Sequence, residues 1–178
     1  MIYCLIEMTD FDSSFKVLLI GDHVVKKKLI NILFPETINS APTITLGIDF
    51  YSKVISNNTQ RIRMMIWNPI TADRFYIRLS QFLKDSHGAI ITCDDIDSRF
   101  LHKLPEWNQI VKQYAGEIPI ILIRLEKDRE NPQNEKKEDI IPLVKNYITD
   151  YIEILASESE EGEHFIGEIA KIILNYHT

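Results

Sequence analysis

Short, wholly apolar runs alternate along this chain with stretches whose apolar residues recur at helical spacing. The first such run, Val17-Leu18-Leu19-Ile20, ends at Gly21 and gives way to a lysine-rich helical pattern. This predicts a strand over 15–20 and a helix over about 26–34, stopped before Pro35. Residues 35–44, with Pro35 and Pro42, read as a loop. Two strands, about 46–56 and 60–67, flank the turn-rich Asn57-Asn58-Thr59 and predict a hairpin. From Asn68 the order N-P-I-T-A-D-R-F reads as a loop that opens a helix running to about Asp85.

Gly88 to Cys93 and Pro119 to Leu125 are buried-strand runs. Between them, residues 98–115 place Phe100, Leu101, Leu104, Trp107 and Val111 on one helical side, with Pro105 as a break point. The polar run Glu126 to Lys137 reads as a loop; a helix near 138–149, a strand at 151–155 and a helix over 162–176 follow. Residues 1–14 read as a tail or a short appended strand ahead of one domain spanning 15–178. Strands alternating with helices, plus one hairpin, imply an α/β fold: a largely parallel sheet covered on both faces.

At 178 residues the chain suits a single domain with a full core. Its net charge of −6 argues against a nucleic-acid partner. Two cysteines, Cys4 and Cys93, are too few for a disulfide framework or a zinc cluster, and Cys93 sits in an apolar run as core. His23 and His87 have no companions at metal-ligand spacing. Glu158, Glu160, Glu161 and Glu163 suit the start of the last helix electrostatically. Asp94 and Asp95 end a strand like phospho-acceptors, but a receiver-like domain would lack the hairpin. No apolar run reaches membrane-spanning length, no signal peptide is evident, and the final I-L-N-Y-H-T has no cysteine to prenylate. The expectation is a cytoplasmic protein with no lipid anchor or membrane span.

Positive charge concentrates at Lys26, Lys27 and Lys28, just after Gly21. A buried strand meeting a helix through a glycine turn is where α/β proteins hold phosphate, because free backbone N–H groups gather there. The phosphate-loop pattern G-x-x-x-x-G-K-[ST] matches at Gly21 and Lys27 and fails twice. Lys26 replaces the second glycine, so a side chain intrudes where backbone must approach phosphate. Lys28 replaces the hydroxyl, and an ammonium cannot give Mg²⁺ an oxygen ligand. Phosphate attraction is weakened in geometry more than in field. The competing reading is a basic first turn that faces solvent.

Four longer stretches resemble the Ras superfamily of small GTPases, and its Rab subfamily most. T-L-G-I-D-F (Thr45 to Phe50) is similar to the first-switch segment, and I-W-N-P-I-T-A-D-R-F (Ile66 to Phe75) to I-W-D-T-A-G-Q-E-R-F. Pro119 to Asp128 resembles the strand and base-reading motif, and Leu155-Ala156-Ser157 stands where S-A-K would be. The resemblance covers about 15–176 and implies the P-loop small-GTPase fold: a mostly parallel six-stranded sheet with one antiparallel edge strand and helices on both faces.

The resemblance also defines what such a site needs: a phosphate cradle, magnesium, a positioned water and charge stabilisation. Of the matching positions, Gly21, Lys27, Thr45, Asp128 and Ala156 are kept. The two protein anchors of the metal have become Lys28 and Asn68, leaving Thr45 alone, with Lys28 as a crude substitute for the metal's charge. Thr71 replaces the glycine that meets the terminal phosphate, and Ala72 replaces the water-positioning glutamine. In the base motif N-K-x-D, Leu125 and Glu126 replace the first two residues. Losing a hydrogen bond to a charged group costs roughly 1.5–3 kcal/mol. Four such losses amount to about 6–12 kcal/mol, on the order of four to eight decades of affinity.

These departures imply a pseudo-GTPase with no catalytic residue, no metal ligand and weak or absent nucleotide binding. Pro69 additionally stiffens the second mobile loop, or simply shapes it. The positions matching the subfamily's effector-facing aromatic triad are Phe50, Trp67 and Phe82. They imply a protein partner on the switch and interswitch face, unless all three rings pack inward. The alternative is a nucleotide-dependent switch that binds GTP or GDP weakly and without magnesium, through Gly21, Lys27, Lys28, Thr45, Asp128 and Ala156.

Overall fold

The computed structural model describes residues 11–37, 48–56, 60–69, 83–126, 137–155 and 161–178. Six strands lie among them: β1 (Ser13–Gly21), β2 (Ile48–Ser56), β3 (Arg61–Pro69), β4 (Gly88–Cys93), β5 (Ile120–Glu126) and β6 (Asp150–Leu155). The described helices are α1 (His23–Leu33), α2 (Ser98–Ala115), α3 (Lys137–Val144) and α4 (Gly162–His177), with a 3₁₀ turn at Pro35–Thr37.

All six strands join one sheet in the order β2-β3-β1-β4-β5-β6. Every neighbouring pair is parallel except β2 and β3, so β2 is the antiparallel edge expected from the hairpin reading. β1 lies between β3 and β4, with Val17 opposite both Ile66 and Gly88.

Alternation along β1 explains its continuous apolar run. Val17 and Leu19 join the core built with α1 and α4, among Leu29, Met64, Phe165 and Ile169. Leu18 points the other way, into the core built with α2 and α3, among Ile91, Leu104, Leu122 and Ile140. A strand buried on both faces needs apolar residues at every position. Where α4 begins, a Cβ on Gly162 would stand 2.1 Å from the Ile32 carbonyl oxygen. Only a glycine lets α4 approach the end of α1 that closely.

Several boundaries differ from the sequence reading. β1 starts at Ser13, inside the segment read as a tail. α1 starts at His23 rather than 26, because Asp22 caps it. Pro69 ends β3, opposite Ile48 of β2, instead of lying in a loop. Helix α2 runs unbroken through Pro105, held by the buried stripe Phe100, Leu104 and Val111. Helix α3 stops at Val144, short of 149, because Thr149 is drawn into the sheet. Its amide donates to the Ile120 carbonyl at 2.7 Å, and its hydroxyl accepts from the Ile120 amide at 3.0 Å. Residues 1–10, most of the 35–44 loop, the 57–59 turn, residues 70–82 of the loop and helix read after Pro69, 127–136 and 156–160 lie outside the described residues.

Candidate functional site at the end of strand β1

Gly21 closes β1 with φ +141°, a backbone conformation that L side chains rarely adopt. It also lies against β4, where an added Cβ would meet the Thr92 carbonyl oxygen at 2.5 Å. Asp22 follows with extended backbone, and its Oδ1 accepts the Val24 amide hydrogen at 2.8 Å. The Asp22 carbonyl accepts from Lys26 at 2.8 Å, the first turn of α1. Residues 23–26 are therefore wound into helix. The stretch that would form an open phosphate loop is helix from His23 onward, and the Asp22 carboxylate occupies its capping position.

Helical spacing sorts the three lysines. Val25, Lys26, Leu29, Ile30 and Leu33 face inward, while Lys27 and Lys28 are exposed. Lys26 keeps only 7% of its surface, and its Nζ donates to the Pro69 carbonyl oxygen at 2.5 Å. Burial lowers its pKa to about 8, and the carboxylates of Asp49 and Asp22 work against that fall.

Asp49 of β2 and Asn68 of β3 stand opposite one another in register. Asn68 is buried with Met64 and Ile66, the inward set that meets α1. It hydrogen-bonds Tyr51, while its Oδ1 has no partner among the described residues. Burial and the Asp49 carboxylate raise the Tyr51 pKa, and the Asn68 bond partly offsets them.

At the far end of β5, Leu125 is 2% exposed and packs into the α1–α4 core, so it presents no polar atom to a base. Glu126 forms an ion pair with buried Arg124 at 3.7 Å, and Glu153 of β6 pairs with the same guanidinium at 3.8 Å. The residue standing for the base motif's lysine is thus an acid already engaged with a cation.

On the other face of β2 and β3, Phe50 and Trp67 are opposed in register and pack edge to face, centroids 4.6 Å apart. Phe50 is 53% exposed, so these two rings do not pack inward. Lys16 of β1 lays its ammonium over the Trp67 ring at 4.1 Å and donates to the Lys84 carbonyl at 2.6 Å. Arg63 lies farther along the same face, its Nε donating to Ser52 Oγ at 3.1 Å.

The structure thus brings Gly21, Lys27 and Lys28 to one strand–helix junction, and Phe50 and Trp67 to one face. Thr45, Phe82, Asp128 and Ala156 lie outside the described residues, as do Thr71 and Ala72. Sequence reasoning passed over Lys26, Asp22 and Asp49 as site members. The signal for Lys26 was available: it repeats with Ile30 and Leu33 at the spacing of an inward helix face.

The described residues do not fit a magnesium-bound phosphate. Such an ion needs oxygen ligands around it. Here an exposed ammonium stands at Lys28, a tyrosine-bonded amide at Asn68, and the Lys26 ammonium occupies the space between α1 and the end of β3.

A mostly parallel six-stranded sheet with one antiparallel edge, helices on both faces and a glycine closing its central strand defines the class of P-loop, GTPase-like domains. The profile of the Ras family matches residues 16–175, and the chain belongs to that family. Its relatives include Ras-related protein SEC4 of Candida albicans, 28% identical over 170 residues, covering 94% of this chain and 81% of the relative. Ras-related protein Rab-13 of Canis lupus familiaris is 26% identical over 166 residues, covering 92% and 82%. Ras-related protein Rab-26 of Bos taurus is 25% identical over 171 residues, covering 94% and 67%. No helix among the described residues is long and apolar enough to cross a membrane.

Proposed function

We propose that this Ras-family protein is a pseudo-GTPase: a cytoplasmic interaction module that docks a protein partner and does not hydrolyse GTP. The observation that carries the reading is the Asp22 cap. A carboxylate accepting from Val24 at 2.8 Å, with α1 wound directly behind it, takes up one first-turn N–H and sets a negative charge where a phosphate would approach the helix. Leu125 in the core and Glu126 paired with Arg124 weaken base recognition in the same direction. The exposed Phe50–Trp67 pair supplies an aromatic anchor of the kind that dominates protein interfaces. The test is thermal unfolding with GTP or GDP, each with Mg²⁺ and with EDTA, beside single-turnover GTP hydrolysis. No shift and no turnover above the uncatalysed rate are expected. A nucleotide-dependent shift of several degrees, or measurable turnover, overturns the reading.

A second reading keeps the nucleotide. Gly21 retains its glycine-only conformation, and Lys27 and Lys28 stand exposed in the first turns of α1. Together with Thr45, Asp128 and Ala156 they support a weak, magnesium-independent switch. A GTP-dependent stabilisation that persists in EDTA selects it.

A further inference from the structure

We infer that the outer face of β2 and β3 recognises an acidic segment of a partner protein, with Arg63 and Lys16 taking its carboxylates and the Phe50–Trp67 pair its apolar anchor. The inference rests on the interaction-module reading and adds the partner's chemistry. Strand alternation and register put Lys16, Arg61 and Arg63 on this face, and no acid at any outward position of β1, β2 or β3. That local excess of cations stands on a chain whose net charge is −6. Neither Lys16 nor Arg63 forms an ion pair with a described residue. Lys16 donates to the Lys84 carbonyl and lies over Trp67, while Arg63 donates to Ser52 and holds its guanidinium 5.5 Å from the Phe11 ring. The acids bordering the face are Asp12, whose Oδ2 accepts the Arg61 amide hydrogen at 2.7 Å, and Asp85, whose charge acts on Lys16 from the turn before β4.

The cations and rings are spaced for such a segment. In register, Lys16 lies beside Met65, one outward position beyond Arg63, and Trp67 with Phe50 forms the next. Successive outward positions are about 7 Å apart, so two carboxylates and an apolar side chain at that interval meet them in order. Cationic side chains already laid on Trp67 and Phe11 lose little freedom when a carboxylate arrives. On this side of the sheet the core built with α2 and α3 takes Leu18 and Ile20 from β1 but no residue of β2 or β3. Phe50 is accordingly left 53% exposed. An anionic membrane matches less well, because polybasic attachment uses clusters of about four to eight Lys or Arg. This face offers Lys16, Arg61 and Arg63, on a chain that is acidic as a whole.

The experiment selects binders to the full chain, without nucleotide, from a displayed library of random peptides, and measures the selected peptides by fluorescence anisotropy. They should be rich in Asp and Glu around an aromatic or aliphatic residue, and should bind more weakly as salt rises. Arg63→Gln and Lys16→Gln should each weaken them about tenfold, and Phe50→Ala should weaken them too. Lys16→Gln also gives up the bond to Lys84. Should it fail to fold, Arg63→Gln decides, since that change touches only the Ser52 bond and the Phe11 contact.

Selected peptides with no excess of acid, yet lost in Phe50→Ala, overturn the acidic partner while leaving the interaction-module reading standing. A selection whose peptides all ignore Phe50→Ala and Arg63→Gln, or one that yields no peptide, overturns the docking face itself. Two further results also overturn the proposal. One is co-sedimentation with phosphatidylserine–phosphatidylcholine vesicles that Arg63→Gln abolishes, which gives the face to a membrane. The other is a dimer in sedimentation velocity that Arg63→Gln dissolves, which gives it to a second copy of the chain.

Discussion

Asp22 accepts the amide hydrogen of Val24 through its own carboxylate, at 2.8 Å, so helix α1 begins one residue after Gly21's neighbour. A short acidic side chain is a strong N-cap because it satisfies a donor the first turn leaves open and its charge favours the helix N-terminus. The same features make it a poor neighbour for a phosphate.

Asp22→Ala should cost about 1 kcal/mol, the ordinary value of a lost cap. In a domain of this size that lowers the unfolding midpoint by about 2–4 °C. Asp22→Asn, which keeps the cap oxygen and drops the charge, should recover most of the loss. Denaturant titration of the three proteins checks it.

Gly21→Ala should be far more damaging than its small size suggests. The added Cβ meets the Thr92 carbonyl at 2.5 Å, and φ +141° is strained for any L residue. Backbone strain and displacement of a sheet partner together should cost roughly 2–4 kcal/mol. A variant as stable as wild type would mean that β1 and β4 are not held so closely at this point.

Phe50→Ala should leave the fold nearly intact. The ring is 53% exposed and contributes an edge-to-face contact to Trp67. Such pairs are worth about 0.5–1.5 kcal/mol. Urea unfolding should therefore change little, while Trp67 fluorescence shifts because its neighbour is gone. A loss above about 3 kcal/mol would mark Phe50 as a core residue instead.

Lys26 gives the protein a pH dependence of known sign. The folded chain releases this proton near pH 8, against 10.5 for an ordinary lysine, chiefly because burial disfavours the charge. Between those values the unfolded chain binds more protons, so this group's contribution to stability rises with pH through that window. Its full span is at most about 3 kcal/mol. Cys93 opposes it, since burial pushes the thiol up to about 12 and its contribution falls as pH rises above the ordinary thiol value. The measurement is therefore the stability difference between Cys93→Ala and Cys93→Ala/Lys26→Met from pH 7 to about 10.5, which should move in favour of the lysine protein as pH rises.

The largely parallel sheet and its two covered faces were legible because they follow from period and composition. Runs such as Gly88–Cys93 and Ile120–Glu126 are apolar but for Thr92, Arg124 and Glu126 and buried almost throughout, as a strand covered on both faces requires. Pro105 misled because a proline removes one helical hydrogen bond, while the stripe through Phe100, Leu104 and Val111 binds the whole helix to the sheet. Pro69 misled because it ends a strand, a place where a missing ladder donor is tolerated. Gly162 carried no local signal, since its need for a bare Cα comes from Ile32 on a different helix.

By itself the sequence determined the α/β class, the central apolar strand ending in glycine, the hairpin that makes the antiparallel edge, and the membership of the chain in its family. The first three are written in spacing along single segments, while the family rests on a likeness that runs over residues 16–175. Which of three consecutive lysines turns inward was decided only by tertiary structure, because it depends on where α1 starts and on what β2 and β3 present to it. Lys26 reaches Pro69 across 43 residues, and Asn68 beside it pairs with Asp49 of the edge strand. An ammonium is kept that deep because a carbonyl oxygen from a separate element accepts its hydrogen bond.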